Sequence, residues 1–238
     1  MVSEKISKHP QGLKYLFFTE MWERFGYYLM LGIFLLYLKD DKGMGLSNAD
    51  ASDIVGTYLG LVYLTPFLGG LIADKLLGFR KSILIGGALM SAGYCVLAVP
   101  GDTALWTAIL LIVVGNGFFK PNISTLLGNL YNNEKYKENK DSGYSIFYMG
   151  INMGAFICNF VAAYMRNNFG WGYAFLAAGV GMLVGIIIFL IGTKHIKEGD
   201  VIKKTSESNS EIRKVLLYVF APAIACGIAG WLLPGNVF

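Results

Sequence analysis

Four charged side chains stand where charge is costly. Glu20, Glu23 and Arg24, in T-E-M-W-E-R-F-G-Y-Y, and Lys120, in G-N-G-F-F-K-P-N-I, each lie inside a long apolar run. A charge at the middle of a bilayer costs from about 3 to well over 10 kcal/mol, so such residues face a protein interior or a water-filled cavity. Glu20, Glu23 and Arg24 follow one another at i, i+3 and i+4, which puts them on one helical face. With one guanidinium for two carboxylates, the second acid lacks a full counter-charge, and its proton affinity responds to any nearby cation. That is a proton switch in outline. The same trio could also be a static ion pair that locks its helix to a neighbour.

Lys120 precedes Pro121, and a bend there would free backbone carbonyls toward a cavity. At least ten residues of the run lie on either side of it at about 1.5 Å each, which favours a cavity-facing cation over a side chain that snorkels to the surface. Tyr27, Tyr28, Tyr63, Asn122 and Asn152 add polar tips to otherwise apolar segments, as a site gripping a peptide backbone would require.

The elements that must carry these groups are membrane spans. The chain is 55% hydrophobic, only 15% charged and holds 30 glycines, outside the soluble globular range. A bilayer core of about 30 Å needs about 20 mostly apolar residues in a helix. Runs of that kind cover 13–38, 54–77, 83–99, 104–131, 142–164 and 171–191. The first is not a cleaved signal, because Glu20, Glu23 and Arg24 interrupt it and no small-residue cleavage site follows. The expectation is an all-α polytopic membrane protein. Residues 1–193 form a six-helix bundle, 194–214 a polar cytoplasmic linker, and 215–238 the start of a further apolar helix, broken by Pro222 and Pro234. That last stretch stops without a charged flank, as in a chain that continues. Paired glycines, Gly56 with Gly60, Gly150 with Gly154 and Gly181 with Gly185, predict close helix contacts.

The net charge of +4 is not one basic patch, which argues against a nucleic-acid partner. Lysines and arginines collect before the first span, at 75–81, at 135–140 and after the sixth, while the opposite connections hold only Lys39, Lys42 and Arg166. Positive charge favours the cytoplasmic side, which places the amino terminus there. Cys95, Cys158 and Cys226 stand singly in apolar runs, and both histidines fall outside the spans, so no metal or other cofactor is expected.

Together these stretches resemble the proton-dependent oligopeptide transporters of the major facilitator superfamily. The E-x-x-E-R signature with its aromatic pair is Glu20, Glu23, Arg24, Phe25, Tyr27 and Tyr28; F-F-K-P-N is Phe118 to Asn122; and F-Y-x-x-I-N-x-G is Phe147, Tyr148, Ile151, Asn152 and Gly154. The superfamily loop G-G-L-I-A-D-K-L-L-G-F-R-K carries Gly70, Asp74, Gly78, Arg80 and Lys81. The resemblance implies proton-coupled symport of di- and tripeptides into the cell by alternating access, in the cell membrane (the inner membrane if bacterial). A second six-helix bundle would lie beyond this sequence. Glu20, Glu23 and Arg24 would couple protons, Tyr27, Tyr28, Tyr63, Lys120 and Asn152 would line the peptide site, and Asp74, Arg80 and Lys81 would form a gating latch. Protons, short peptides and the lipid bilayer are then the partners. One position departs from the pattern: Leu31 stands where many members have arginine. A different small solute such as nitrate is the nearest alternative cargo. A membrane hydrolase lacks a nucleophile with a base, metal-ligand spacing and G-x-S-x-G. A non-transporting scaffold would lack a second set of spans.

Overall fold

The computed structural model describes residues 9–201, and within them the chain is helical throughout, with no strand. Six long helices follow in order: α1 Gly12–Lys39, α2 Asn48–Ile72, α3 Phe79–Leu97, α4 Asp102–Leu130, α5 Lys140–Phe169 and α6 Trp171–Ile196. Single turns of 3-10 helix, Lys137–Asn139 and Lys197–Gly199, precede α5 and follow α6. α2, α4, α5 and α6 are long and apolar enough to cross a membrane. α1 is 28 residues long but carries the charged trio, and α3, at 19 residues, carries Arg80 and Lys81. The expected stretch 215–238 and most of the linker lie outside the described residues. The described start of that linker, through Gly199, is helical, because α6 runs on past the apolar run to Ile196.

Helix ends follow local chemistry. α2 begins six residues before its apolar run because the Ser47 hydroxyl caps it, accepting from the Asp50 backbone N–H at 3.2 Å. Its far end continues into a π-helical turn, Ala73–Leu77, closed where the Gly78 N–H donates to the Ala73 carbonyl at 2.8 Å. α5 and α6 are joined by Gly170 alone, at φ 99°; it donates to the carbonyls of Met165 and Arg166 and then caps α6. Only glycine adopts that left-handed backbone without strain.

α1 is the central helix, packed against α5 and α6, while α4 packs against α3 and α2, and α3 also meets α6. Two of the three expected glycine pairs make such contacts. A Cβ on Gly154 would run into the Met21 carbonyl of α1, and one on Gly185 would stand 3.2 Å from Cβ of Trp22. The third pair does not. Gly56 and Gly60 have nothing within 4 Å among the described residues, because the face of α2 that carries them is uncovered. Only 17% of the apolar window of α2 and 28% of that of α5 is buried, against 50% for α4. Two helices thus present long apolar faces outward.

Candidate functional site

Glu20, Glu23 and Arg24 project from α1 into the bundle interior and are almost wholly buried. Arg24 grips Glu23 with two groups. Its Nη2 donates to Glu23 Oε1 at 2.7 Å, and its Nε donates to Glu23 Oε2. The same Nε lies 3.3 Å from Glu20 Oε1, while Glu20 Oε2 has no hydrogen-bond partner among the described residues. The asymmetry is physical. A planar guanidinium satisfies one carboxylate bidentately and leaves the other with a single, longer contact. Tyr27 and Tyr28 complete the surroundings, their ring centroids 4.9 and 6.0 Å from the guanidinium carbon, within cation–π range.

Lys120 enters from α4. It is half-buried, its Nζ stands 5.5 Å from the centroid of the Tyr63 ring on α2, and it lies within electrostatic reach of Glu20, Glu23 and Arg24. The helix continues through Pro121 to Leu130. Asn122 Nδ2 donates to the Phe118 carbonyl of its own helix at 2.7 Å and reaches the Gly69 carbonyl of α2 at 3.3 Å, a link between the two helices. Tyr63 is 72% exposed and Asn152 of α5 is also exposed, so both are open to a solute. Glycines flanking Asn152 press on α1, Gly150 near the Phe17 carbonyl and Gly154 at that of Met21. The structure therefore joins the α1 trio, Tyr27, Tyr28, Tyr63 and Lys120 in one place, and sets Asn152 on the α5 stretch that packs against α1.

The expected latch is arranged differently. Asp74 lies in the π-helical turn and Lys81 is exposed, but the Arg80 guanidinium is directed to Asp200, at 4.0 Å, and the Arg80 N–H donates to Asp200 Oδ1 at 3.2 Å. The chain around Asp200 is tied down nearby, where Asn129 Nδ2 donates to the Gly199 carbonyl at 2.9 Å. Sequence reasoning missed Asp200 because it sits in a polar stretch read as linker. Tyr58 and Tyr94, buried on α2 and α3 close to the trio, were also missed; the only signal was a hydroxyl inside an apolar run.

A cavity of about 580 Å³ opens at the opposite end of the bundle, between α1 and α5, lined by Gly32, Leu36, Asp40, Ala163, Arg166 and Trp171. There Arg166 Nη2 donates to Asp40 Oδ2 at 3.0 Å and its guanidinium carbon lies 4.6 Å from the Trp171 ring centroid. The Lys42 backbone N–H and the Arg166 guanidinium hold the Asp40 carboxyl below the usual carboxylate range. This ion pair closes the α1–α5 corner and is remote from the buried trio.

A family model described as the POT family matches residues 80–223. A di-/tripeptide transporter of Lactococcus lactis subsp. lactis (strain IL1403) is 36% identical over 231 residues, covering 94% of this chain and 46% of its own length. An uncharacterized transporter, YclF, of Bacillus subtilis (strain 168) is 40% identical over 190 residues, 78% of this chain and 38% of the relative. Among solved structures, a peptide transporter POT in complex with sulfate superposes with a TM-score of 0.81 at 36% identity, over 97% of this chain and 48% of the other. A POT family transporter in complex with 5-aminolevulinic acid gives 0.82 at 30%, over 94% and 47%. The chain spans less than half the length of these relatives. Helices built to cross a membrane, a buried acid–acid–arginine trio facing a lysine, and these matches lead to one conclusion: the chain belongs to the POT family, whose members are transporters and not enzymes.

Proposed function

We propose that this chain is the amino-terminal half of a proton-coupled symporter that carries di- and tripeptides into the cell by alternating access. The observation that carries the reading is the buried trio with one guanidinium for two carboxylates, Glu20 only half satisfied, and a second cation, Lys120, within reach. Two carboxylates, Arg24 and Lys120 sum to zero charge. When a peptide's carboxylate occupies Lys120, the trio is left with one uncompensated negative charge and takes up a proton more readily. Proton and peptide therefore favour each other's binding, which is the thermodynamic requirement for symport. Release of the proton toward the cytoplasm lets Arg24 hold both acids again and weakens the hold on the peptide.

Tyr27, Tyr28, Tyr63 and Asn152 supply hydroxyl and amide groups for the peptide backbone. Leu31, a partly buried packing residue, leaves Lys120 as the cation for the carboxylate. A second six-helix bundle would close the cavity and cover the apolar faces of α2 and α5, and the rest of the outer surface meets lipid. Lys14, Arg80, Lys81, Lys140, Lys194 and Lys197 gather at one end of the helices, which supports a cytoplasmic position for that end and the amino terminus in a cell-membrane protein. Arg80 with Asp200, and with Asp74 and Lys81 close by in sequence, forms a cytoplasmic latch.

The test is uptake of labelled dialanine by full-length protein in proteoliposomes with Glu23→Gln. Gradient-driven accumulation is lost in the variant while peptide counterflow persists. Accumulation at the wild-type level under the gradient would remove Glu23 from the coupling.

A further inference from the structure

Buried polar atoms without partners are rare and costly, and here two of them lie close to the trio. The hydroxyls of Tyr58 on α2 and Tyr94 on α3 have no hydrogen-bond partner among the described residues, although both side chains are wholly buried. Each lies within electrostatic reach of Glu23, Arg24 and Tyr27, and Tyr94 within reach of Tyr58. The Tyr94 ring is held against α1 at Gly26, where an added Cβ would stand 3.2 Å from its Cε2. Tyr58 packs edge-on to Phe34, with ring centroids 5.7 Å apart. On α4, Asn116 is buried with neither amide atom paired among the described residues, one turn before Lys120 and on the same helical face. Tyr58 and Tyr94 thus bring two unpaired hydroxyls close to one stretch of α1, and Asn116 adds an unpaired amide on the lysine-bearing face of α4.

We propose that Tyr58, Tyr94 and Asn116 enclose a buried water site against Glu23, on the side that Arg24 does not cover. A buried water makes about three hydrogen bonds to groups that would otherwise be unsatisfied, and two hydroxyls, an amide and a carboxylate supply them. A carboxylate has about four lone-pair positions, so the two bonds from Arg24 leave Glu23 free to accept from this water. The water stabilises the charged carboxylate. Tyr58 and Tyr94 are therefore positioning residues for the proton-carrying group, and this role rests on the proton-coupled reading above. The titratable and charged groups facing Glu23 are Glu20, Arg24 and Tyr27 on α1, Tyr58 on α2, Tyr94 on α3 and Lys120 on α4. From α5 and α6, Gly154 and Gly185 face this part of α1.

The experiment uses full-length protein with Tyr58→Phe, Tyr94→Phe and the double variant. One readout is the pH at half-maximal gradient-driven dialanine uptake. The other is infrared difference spectroscopy of the carboxyl C=O band during a pH titration, which needs no transport. Loss of a donor to the carboxylate moves both midpoints to higher pH in each single variant, by about three- to ten-fold in proton concentration. The double variant moves no further than the larger single one, because the water is shared. Midpoints that coincide with wild type, or shifts that simply add, overturn the proposal. If Tyr94→Phe does not fold, Tyr58→Phe and Asn116→Leu carry the same expectation. An infrared shift in a protein that accumulates no peptide would keep the water site and remove the transport reading; gradient-driven uptake with unshifted midpoints would do the reverse.

Discussion

Replacing Arg24 with glutamine leaves two buried carboxylates without the cation between them. Both acids are almost fully enclosed and both touch the same Nε, so no solvent replaces the lost charge. Removing one partner of a buried ion pair costs about 3–5 kcal/mol. The mutual repulsion of the two carboxylates, which both lie against that Nε, adds on the order of a few kcal/mol at an effective dielectric of 20. The folded protein escapes most of this by binding a proton between the acids, which the unfolded chain does only near the ordinary carboxylate range. The destabilisation in Arg24→Gln is therefore small at pH 5 and grows as the pH rises to 8. In the Glu23→Gln/Arg24→Gln double variant one carboxylate and its counter-charge leave together, and most of the loss is restored. The assay is thermal unfolding of full-length protein in detergent, followed by tryptophan fluorescence at both pH values. A deficit independent of pH, or a double variant as unstable as the sum of the singles, would refute the electrostatic account of the trio.

Helix packing gives another prediction: Gly154→Leu forces α5 off the Met21 carbonyl and costs at least about 1–3 kcal/mol, read as loss of monodisperse protein. At the other end of the bundle, the folded Asp40 carboxyl lies below its ordinary value, so its contribution is present above the unfolded value and disappears as the pH falls through the folded one. Asp40→Asn accordingly lowers the melting temperature at pH 6 and makes no difference once the acid is protonated, a convergence that melting curves across pH 2–6 will show. The exposed position of this pair keeps the effect small. Arg80→Ala and Asp200→Ala, which break one contact from either side, are non-additive in the same melting assay; full additivity would dissolve the pair.

Much of this arrangement is legible in the residues before any coordinates. Apolar runs locate all six helices, since a span must be both helical and apolar, but they understate the ends. α5 extends to Lys140 and Phe169 and α6 to Ile196, because helical hydrogen bonding continues into polar residues once a long helix exists. The E-x-x-E-R spacing places the trio on one face; that Lys120 of α4 stands within electrostatic reach of it is a fact of helix packing that its depth in the run did not convey. What spacing could not convey is which face of a helix finds a neighbour. Gly56 and Gly60 have the same spacing as Gly150 and Gly154, yet only the second pair meets another helix, while unflagged Gly86 lies 2.6 Å, by its added Cβ, from the Gly115 carbonyl. Ion-pair partners were equally hidden. Arg80 meets Asp200, 120 residues away, rather than the nearby Asp74. The roles of Tyr58 and Tyr94 depend on three helices converging on Gly26 and Glu23, which no local pattern encodes.

The most direct measurement is uptake of labelled dialanine by the full-length protein in proteoliposomes, with and without an inward proton gradient, in wild type and Lys120→Ala. Accumulation that requires the gradient and is lost when the Lys120 cation is removed is the result this account predicts. Accumulation that ignores the gradient, or survives in Lys120→Ala with an unchanged KM, would contradict it.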